Sequence, residues 1–266
     1  MEIEMTTATK FTIKKNYCDY QTGPGGGLRL RMLMDDLQGI AQLHADSLGF
    51  GSKFCHENKI GWALTNYIVD IIETPTFGEE MTITTWPSGV SAIRALRDFE
   101  IKGGDGRLMV RATTQWVMLD ITTRRLTKIP KMVADYDVFP SRALDVEFEK
   151  IDDFEIADTP KTFPVLFDDI DSNGHVNNTS YTVWATESMG YEFLASNTLR
   201  ELKINFKKEV APGTDSVIAY HKAERRHPCE GRDPLCQSVT ESRHMIQTNG
   251  QTNAVAVCTW AAVPRP

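Results

Sequence analysis

The sequence predicts an α+β fold built from two copies of one unit, each a long helix packed on an antiparallel sheet. Three observations carry that expectation: a Pro/Gly turn motif that occurs twice, a Gly-tipped hairpin signal that occurs twice, and an apolar helical stripe upstream of each pair. Internal repetition is sought first because it fixes the architecture. A helix followed by several antiparallel strands can bury its stripe only against the sheet.

In the first half, Leu30, Leu33, Met34, Leu37, Ile40 and Ala41 recur at three- and four-residue spacing and make one helical stripe. The stretch Pro75-Thr76-Phe77-Gly78-Glu79-Glu80-Met81-Thr82-Ile83 then reads as a turn entering a strand. Residues 101–106 form a Gly-rich tip leading into a strand, 108–119, that ends near Trp116. In the second half Tyr181, Trp184, Ala185 and Ser188 give a less greasy stripe. Val210-Ala211-Pro212-Gly213-Thr214-Asp215-Ser216-Val217-Ile218 repeats the turn, and 246–250 repeats the hairpin tip ahead of a strand that ends near Trp260. The join is expected within 134–160, an acidic stretch poor in periodicity that suits a surface linker. The two domains are therefore read as 1–150 and 151–266, with an extra loop at 226–236 in the second.

The 266 residues are ample for a buried core, and no apolar run approaches the roughly 18 residues a membrane helix needs. The acidic opening Met1–Met5 resembles neither a signal nor a transit peptide, so a cytoplasmic protein, or one whose targeting segment precedes this chain, is expected. Five scattered cysteines without a C-x-x-C argue against a disulfide framework and a zinc site. A net charge of −7 excludes general nucleic-acid binding, which needs basic surface. One local basic run, Arg124, Arg125, Lys128 and Lys131, reads either as a docking patch for an acidic partner or as a solvated loop.

The densest polar stretch is Asp168-Asp169-Ile170-Asp171-Ser172-Asn173-Gly174-His175-Val176-Asn177-Asn178. Asn177 or Asn178 suits a helix N-cap. Asp171, Asn173 and His175 therefore lie on a loop feeding a helix N-terminus, where free amides and the helix dipole favour developing negative charge. If that loop is extended, the i, i+2, i+4 spacing puts all three side chains on one side. The competing reading is a turn and capping network, since Asp, Asn and Gly are turn formers. His44, His56, His221, His227 and His244 have no comparable polar company in the sequence. No Gly-x-Ser-x-Gly and no nearby cysteine supplies a nucleophile, so attack by an activated water fits better.

The run D-x-N-x-H-V-N-N-x-x-Y-x-x-W from Asp171 to Trp184 resembles the catalytic segment of acyl-acyl-carrier-protein thioesterases. Residues 75–79, 116–118 and 123–130 are similar to that family's first half, in the same order. The resemblance implies a tandem hotdog fold, hydrolysis of fatty acyl-ACP to free fatty acid, and a catalytic second hotdog. It maps Asp171, Asn173 and His175 onto the family's Asp, Asn and His. It also assigns a fourth residue, Glu209 in Lys207-Lys208-Glu209-Val210, on the strand after the helix. Where plant members often carry Cys after that Glu, this chain has Val210, so no thiol there can be required. The first half has no D-x-N-x-H, which implies an acyl-pocket role with Leu33, Met34 and Leu37 as lining, unless these are ordinary core. No cofactor or metal is implied; the expected partner is acyl carrier protein, and the chain is expected as a monomer or homodimer. Three rivals remain: an acyl-CoA thioesterase, a non-catalytic acyl-thioester binder and a hotdog dehydratase, the last disfavoured by Asn173 and Glu209.

Overall fold

The computed structural model describes residues 2–4, 9–156, 160–226 and 239–263. The chain divides into two compact units, Met1–Phe148 and Glu149–Pro266. The extra loop expected at 226–236 lies, after its first residue, outside the described residues, as do Cys229 and Cys236.

In the first unit, strands β1 (Glu2–Glu4) and β2 (Phe11–Asn16) precede helices α1 (Leu30–Ser47) and α2 (Ser52–Glu57). Strands β3 (Ile60–Ile71), β4 (Glu80–Val90), β5 (Arg94–Gly103), β6 (Leu108–Asp120) and β7 (Leu126–Thr127) follow, and then the short α3 (Lys131–Ala134). The sheet order is β1-β2-β4-β5-β6-β3, with β7 on β6, and every pairing is antiparallel. Helix α1 packs on β2 and β4. Its stripe buries Leu33, Met34, Leu37, Ile40 and Ala41 as the periodicity predicts, while Leu30, at its first turn, is only half-buried. Strand β4 answers with a period-2 face of Met81, Ile83 and Thr85. Leu37 is wholly enclosed. Leu37→Ala is therefore expected to cost about 2–5 kcal/mol, a cavity plus lost burial, seen as a lowered denaturant midpoint at unchanged slope.

The second unit runs β8 (Lys161–Pro164), α4 (Asn178–Glu187), α5 (Tyr191–Ser196), β9 (Asn197–Phe206), β10 (Ser216–Arg226), β11 (Val239–Thr248) and β12 (Gln251–Ala262). Its sheet order is β9-β12-β11-β10-β8, again antiparallel throughout, and α4 packs on β10, β11 and β12. The β11–β12 turn uses positive φ at Asn249 and Gly250, the geometry a two-residue hairpin needs.

The second helix is shorter than its counterpart. It ends at Glu187 because Gly190 takes φ 89°, which no helix accommodates, before α5 begins. Its polar character also has a physical account. Tyr181, Trp184, Ala185 and Ser188 are buried, and so are Thr182 and Thr186. The hydroxyls of Thr182, Thr186 and Ser188 donate back to the carbonyls of Thr179, Thr182 and Ala185, so burial leaves them satisfied.

The acidic join is not a loose surface linker over its whole length. Arg142 pairs with the buried Asp98 at 3.1 Å and donates to Thr113, while the Trp86 indole donates to the Ser141 carbonyl. Ile151 donates to Asn205, and Asp153 meets Lys207 at 2.6 Å. Each end of the join is tied to its own sheet.

Candidate active site

Asn177 caps α4, its side chain accepting from the Thr179 amide. The loop before it is a closed turn. Ile170 and Val176 form an isolated bridge, Asp171 N donates to His175 O at 2.7 Å, and Gly174 N donates to Asp171 O at 3.0 Å. Gly174 sits at φ 76°, where an L side chain is strained.

This corrects the extended reading of the segment. The Asp171 carboxylate folds back and accepts from the backbone amides of Asn173 (2.8 Å) and His175 (3.1 Å), and more weakly from Asn173 Nδ2 (3.4 Å). It holds the backbone that carries His175 rather than the ring. A short acceptor side chain beside free amides closes a turn before it lines up along a strand. The helix amides are also partly used: Thr179 N goes to the Asn177 side chain and Ser180 N to the Asn177 carbonyl.

Glu209 lies three residues beyond the end of β9, in the loop to β10, and not on the strand itself. His175 Nε2 stands 3.9 Å from Glu209 Oε2, with both side chains partly exposed. That is ion-pair range, too long for a direct hydrogen bond. Two groups distant from it in sequence place Glu209. The Val210 amide donates to the Tyr181 hydroxyl at 2.7 Å. Asn253 of β12 accepts from the amides of Lys207 and Lys208 and donates to the carbonyls of Lys208 and Glu209. Burial pushes the Tyr181 phenol up to about 12, and the Glu209 charge adds to it, so the phenol stays protonated at neutral pH. Beneath the loop, the buried Asp169 accepts from Ser180 Oγ and from Leu166 N.

The first unit contains the same turn without its polar side chains. Thr22 bridges Leu28 as Ile170 bridges Val176. Gly23 N donates to Gly27 O (2.8 Å), Gly26 N to Gly23 O (3.0 Å), and Arg29 N to Gln21 O as Asn177 N does to Asp169 O. Gly26 takes φ 77°, matching Gly174. Gly23, Gly25 and Gly27 thus stand where the second unit has Asp171, Asn173 and His175. Thr74, which precedes the repeated turn as Glu209 does, lies where a Cβ on Gly27 would touch it at 3.1 Å. The His175–Glu209 juxtaposition is repeated in the backbone and absent from the side chains.

Other sequence candidates fall elsewhere. Leu33, Met34 and Leu37 are core residues. The cavity of the first unit lies further along α1 and is lined by Ala41, Ala45, Leu48, Phe50, Trp62 and Trp116 among others. Arg124, Arg125, Lys128 and Lys131 are all exposed, on the turn after β6 and at the start of α3. Exposed Leu126 and Met132 stand beside them. Cys258 is buried, which pushes its thiol far up and leaves it inert. No helix among the described residues is long and apolar enough to cross a membrane.

Comparison with known proteins follows the same division. Residues 5–136 match the acyl-ACP thioesterase N-terminal domain and residues 154–262 the acyl-ACP thioesterase C-terminal domain. A palmitoyl-acyl carrier protein thioesterase from Gossypium hirsutum is 32% identical over 214 residues, 75% of this chain and 51% of the relative. The chain thus spans about half the length of that curated relative. A Lactobacillus plantarum chain described as an oleoyl thioesterase superposes with a TM-score of 0.85 at 27% identity, covering 98% of this chain and 99% of that one. The 12:0-ACP thioesterase from Umbellularia californica gives 0.82 at 21% identity over 96% and 94%, a likeness of fold. The fold is the tandem hotdog, in which a helix is wrapped by an antiparallel sheet in each unit. Two family domains in order, together spanning nearly the whole chain, leave one assignment: the chain belongs to the acyl-ACP thioesterase family.

Proposed function

We propose that this chain hydrolyses the thioester of a fatty acyl chain carried on acyl carrier protein, releasing free fatty acid and holo-carrier and so ending elongation. The observation that carries this reading is the 3.9 Å pairing of His175 with Glu209 beside the start of α4, at a corner the first unit fills with Gly27 and Thr74. At 3.9 Å the two groups are close enough for one water, placed to the side of the line between them, to hydrogen-bond to both. Glu209, with His175, takes a proton from that water. The oxygen attacks the thioester carbon, and the resulting oxyanion is stabilised by Asn173 Nδ2 and the positive end of α4. The C–S bond then breaks and the leaving thiolate takes up the proton. Asp171 keeps the loop closed so that Asn173 and His175 stay in place. In this reading the first unit supplies the acyl cavity.

Side-by-side turnover of acyl-ACP and acyl-CoA of equal chain length tests the substrate class. Free acid released preferentially from acyl-ACP supports the proposal. Preference for acyl-CoA, or a stable uncleaved complex, overturns it in favour of a CoA hydrolase or a binder.

The acidic chain needs local basic surface to meet an acidic carrier. Arg124, Arg125, Lys128 and Lys131, with exposed Leu126 and Met132, offer such a surface, charged and apolar together. Reversal of Arg125 and Lys128 to Glu is expected to raise KM for acyl-ACP several-fold, more at low salt, and to leave short acyl-CoA analogues unchanged. Equal effects on both substrates contradict docking there. The proposal carries with it a cytoplasmic setting, alongside the carrier.

A further inference from the structure

The cavity in the first unit encloses about 140 Å³. Its wall is apolar except for Gln42, Tyr136 and Arg97, and Arg97 is the one charged lining residue among those described. Arg97 Nη1 reaches His44 Nδ1 at 3.0 Å and Thr85 Oγ1 at 3.2 Å. Since Nη1 must donate, Nδ1 offers its lone pair and the His44 ring is neutral. Burial and the neighbouring guanidinium push His44 down to about 3, in agreement. His44 itself is buried and stacks on Phe11. Asp98, next along β5, points to Arg142 instead.

Among the described residues, the groups that Arg97 reaches, His44 and Thr85, are neutral, and so is the neighbouring Tyr136 phenol, which burial pushes up. Burial lowers Arg97 to about 10, which still leaves it charged at neutral pH. Arg97 is partly exposed and lines a mostly apolar cavity with no counter-charge among its described lining residues, so an anion entering there would gain a charge-assisted partner. Only Nη1 of its fork is engaged, and the guanidinium geometry favours bidentate capture of a carboxylate. The rest of the wall, with Ala45, Leu48, Phe50 and Trp62, suits hydrocarbon.

We propose that this cavity is a binding site for a fatty acid carboxylate, its head group on Arg97 and its first carbons against the apolar wall. The binding site stands on the cavity and the unpaired cation alone. Its consequence rests on the hydrolysis reading: there the ligand is the reaction's own product class, and the released acid competes with the acyl chain for the first unit.

The test titrates the full chain with sodium octanoate and with 1-octanol as its neutral match, by calorimetry. Octanoate is expected to bind at least about tenfold more tightly, the scale of one charge-assisted contact. Arg97→Met is expected to bring octanoate down to the level of the alcohol, and Arg97→Lys to keep most of the preference. In the wild-type chain the Arg97 Nε–H resonance is expected to shift with octanoate and not with octanol, a readout that survives if the Met variant does not fold. Equal affinity for acid and alcohol, an undiminished preference in Arg97→Met, or an unmoved Arg97 resonance overturns the site. Competitive inhibition of acyl-ACP turnover by octanoate tests the consequence. A chain that binds octanoate at Arg97 yet hydrolyses nothing defeats the hydrolysis reading and leaves the site standing.

Discussion

Replacing His175 or Glu209 by Ala is expected to lower kcat by about 10²–10⁴, the usual scale for removing a general base or its partner. The two groups face each other at 3.9 Å and in the proposed mechanism act on one water, so the double variant is expected to lose little more than the worse single one. Groups that act as a unit are not additive. Glu209→Gln keeps the shape and removes the base, and is expected to fall nearly as far as Glu209→Ala. Neither side chain is buried, so the variants should fold with stability within about 0.5 kcal/mol of wild type, as surface substitutions usually do. Steady-state release of free acid checks the rate, and a denaturant midpoint checks the fold. Full activity in either single variant contradicts the assigned roles.

Asp171→Ala is expected to produce the second largest loss, about 10²-fold in kcat, for a different reason. The carboxylate accepts from the amides of Asn173 and His175 and closes the turn. Removing it leaves those amides without partners and lets the His175 backbone wander, and misplacement of about 1 Å can cost about 10²-fold. Asp171→Asn retains one acceptor oxygen and is expected to keep much of the activity, about tenfold above the Ala variant. If the charge of Asp171 instead acts on the imidazole, Asn and Ala will be equally damaging, and the activity pH profile will shift in both. Comparing the two substitutions therefore separates a positioning role from an electrostatic one.

The repeat was legible because turns and amphipathic stripes leave local marks. Pro75 to Gly78 and Pro212-Gly213 punctuate both halves, and the α1 stripe names its own buried face. Asn177 as N-cap was legible for the same reason, since capping is a matter of a few adjacent residues. The loop conformation was not. Asp171, Asn173 and His175 are equally compatible with an extended face and with an Asx-type closure, and only the packed turn decides. Periodicity told that Leu33, Met34 and Leu37 are inside but not which turn of α1 borders free space; the cavity lies by Ala41 and Ala45. Tyr181 and Asn253 carried no signal for their part in holding Glu209, because a helix and a strand distant in sequence meet there. His44 read as bland for the same reason: Arg97 reaches it across the fold.

The most direct measurement of the account is a single turnover of acyl-ACP in ¹⁸O-enriched water, with mass analysis of both the released acid and the enzyme's peptides. A water activated between Glu209 and His175 predicts one heavy oxygen in the free acid and none in the peptides that contain Glu209 or Asp171. Heavy oxygen in either carboxylate, the mark of an anhydride passing through the enzyme, would contradict it, as would recovery of the acyl-ACP uncleaved.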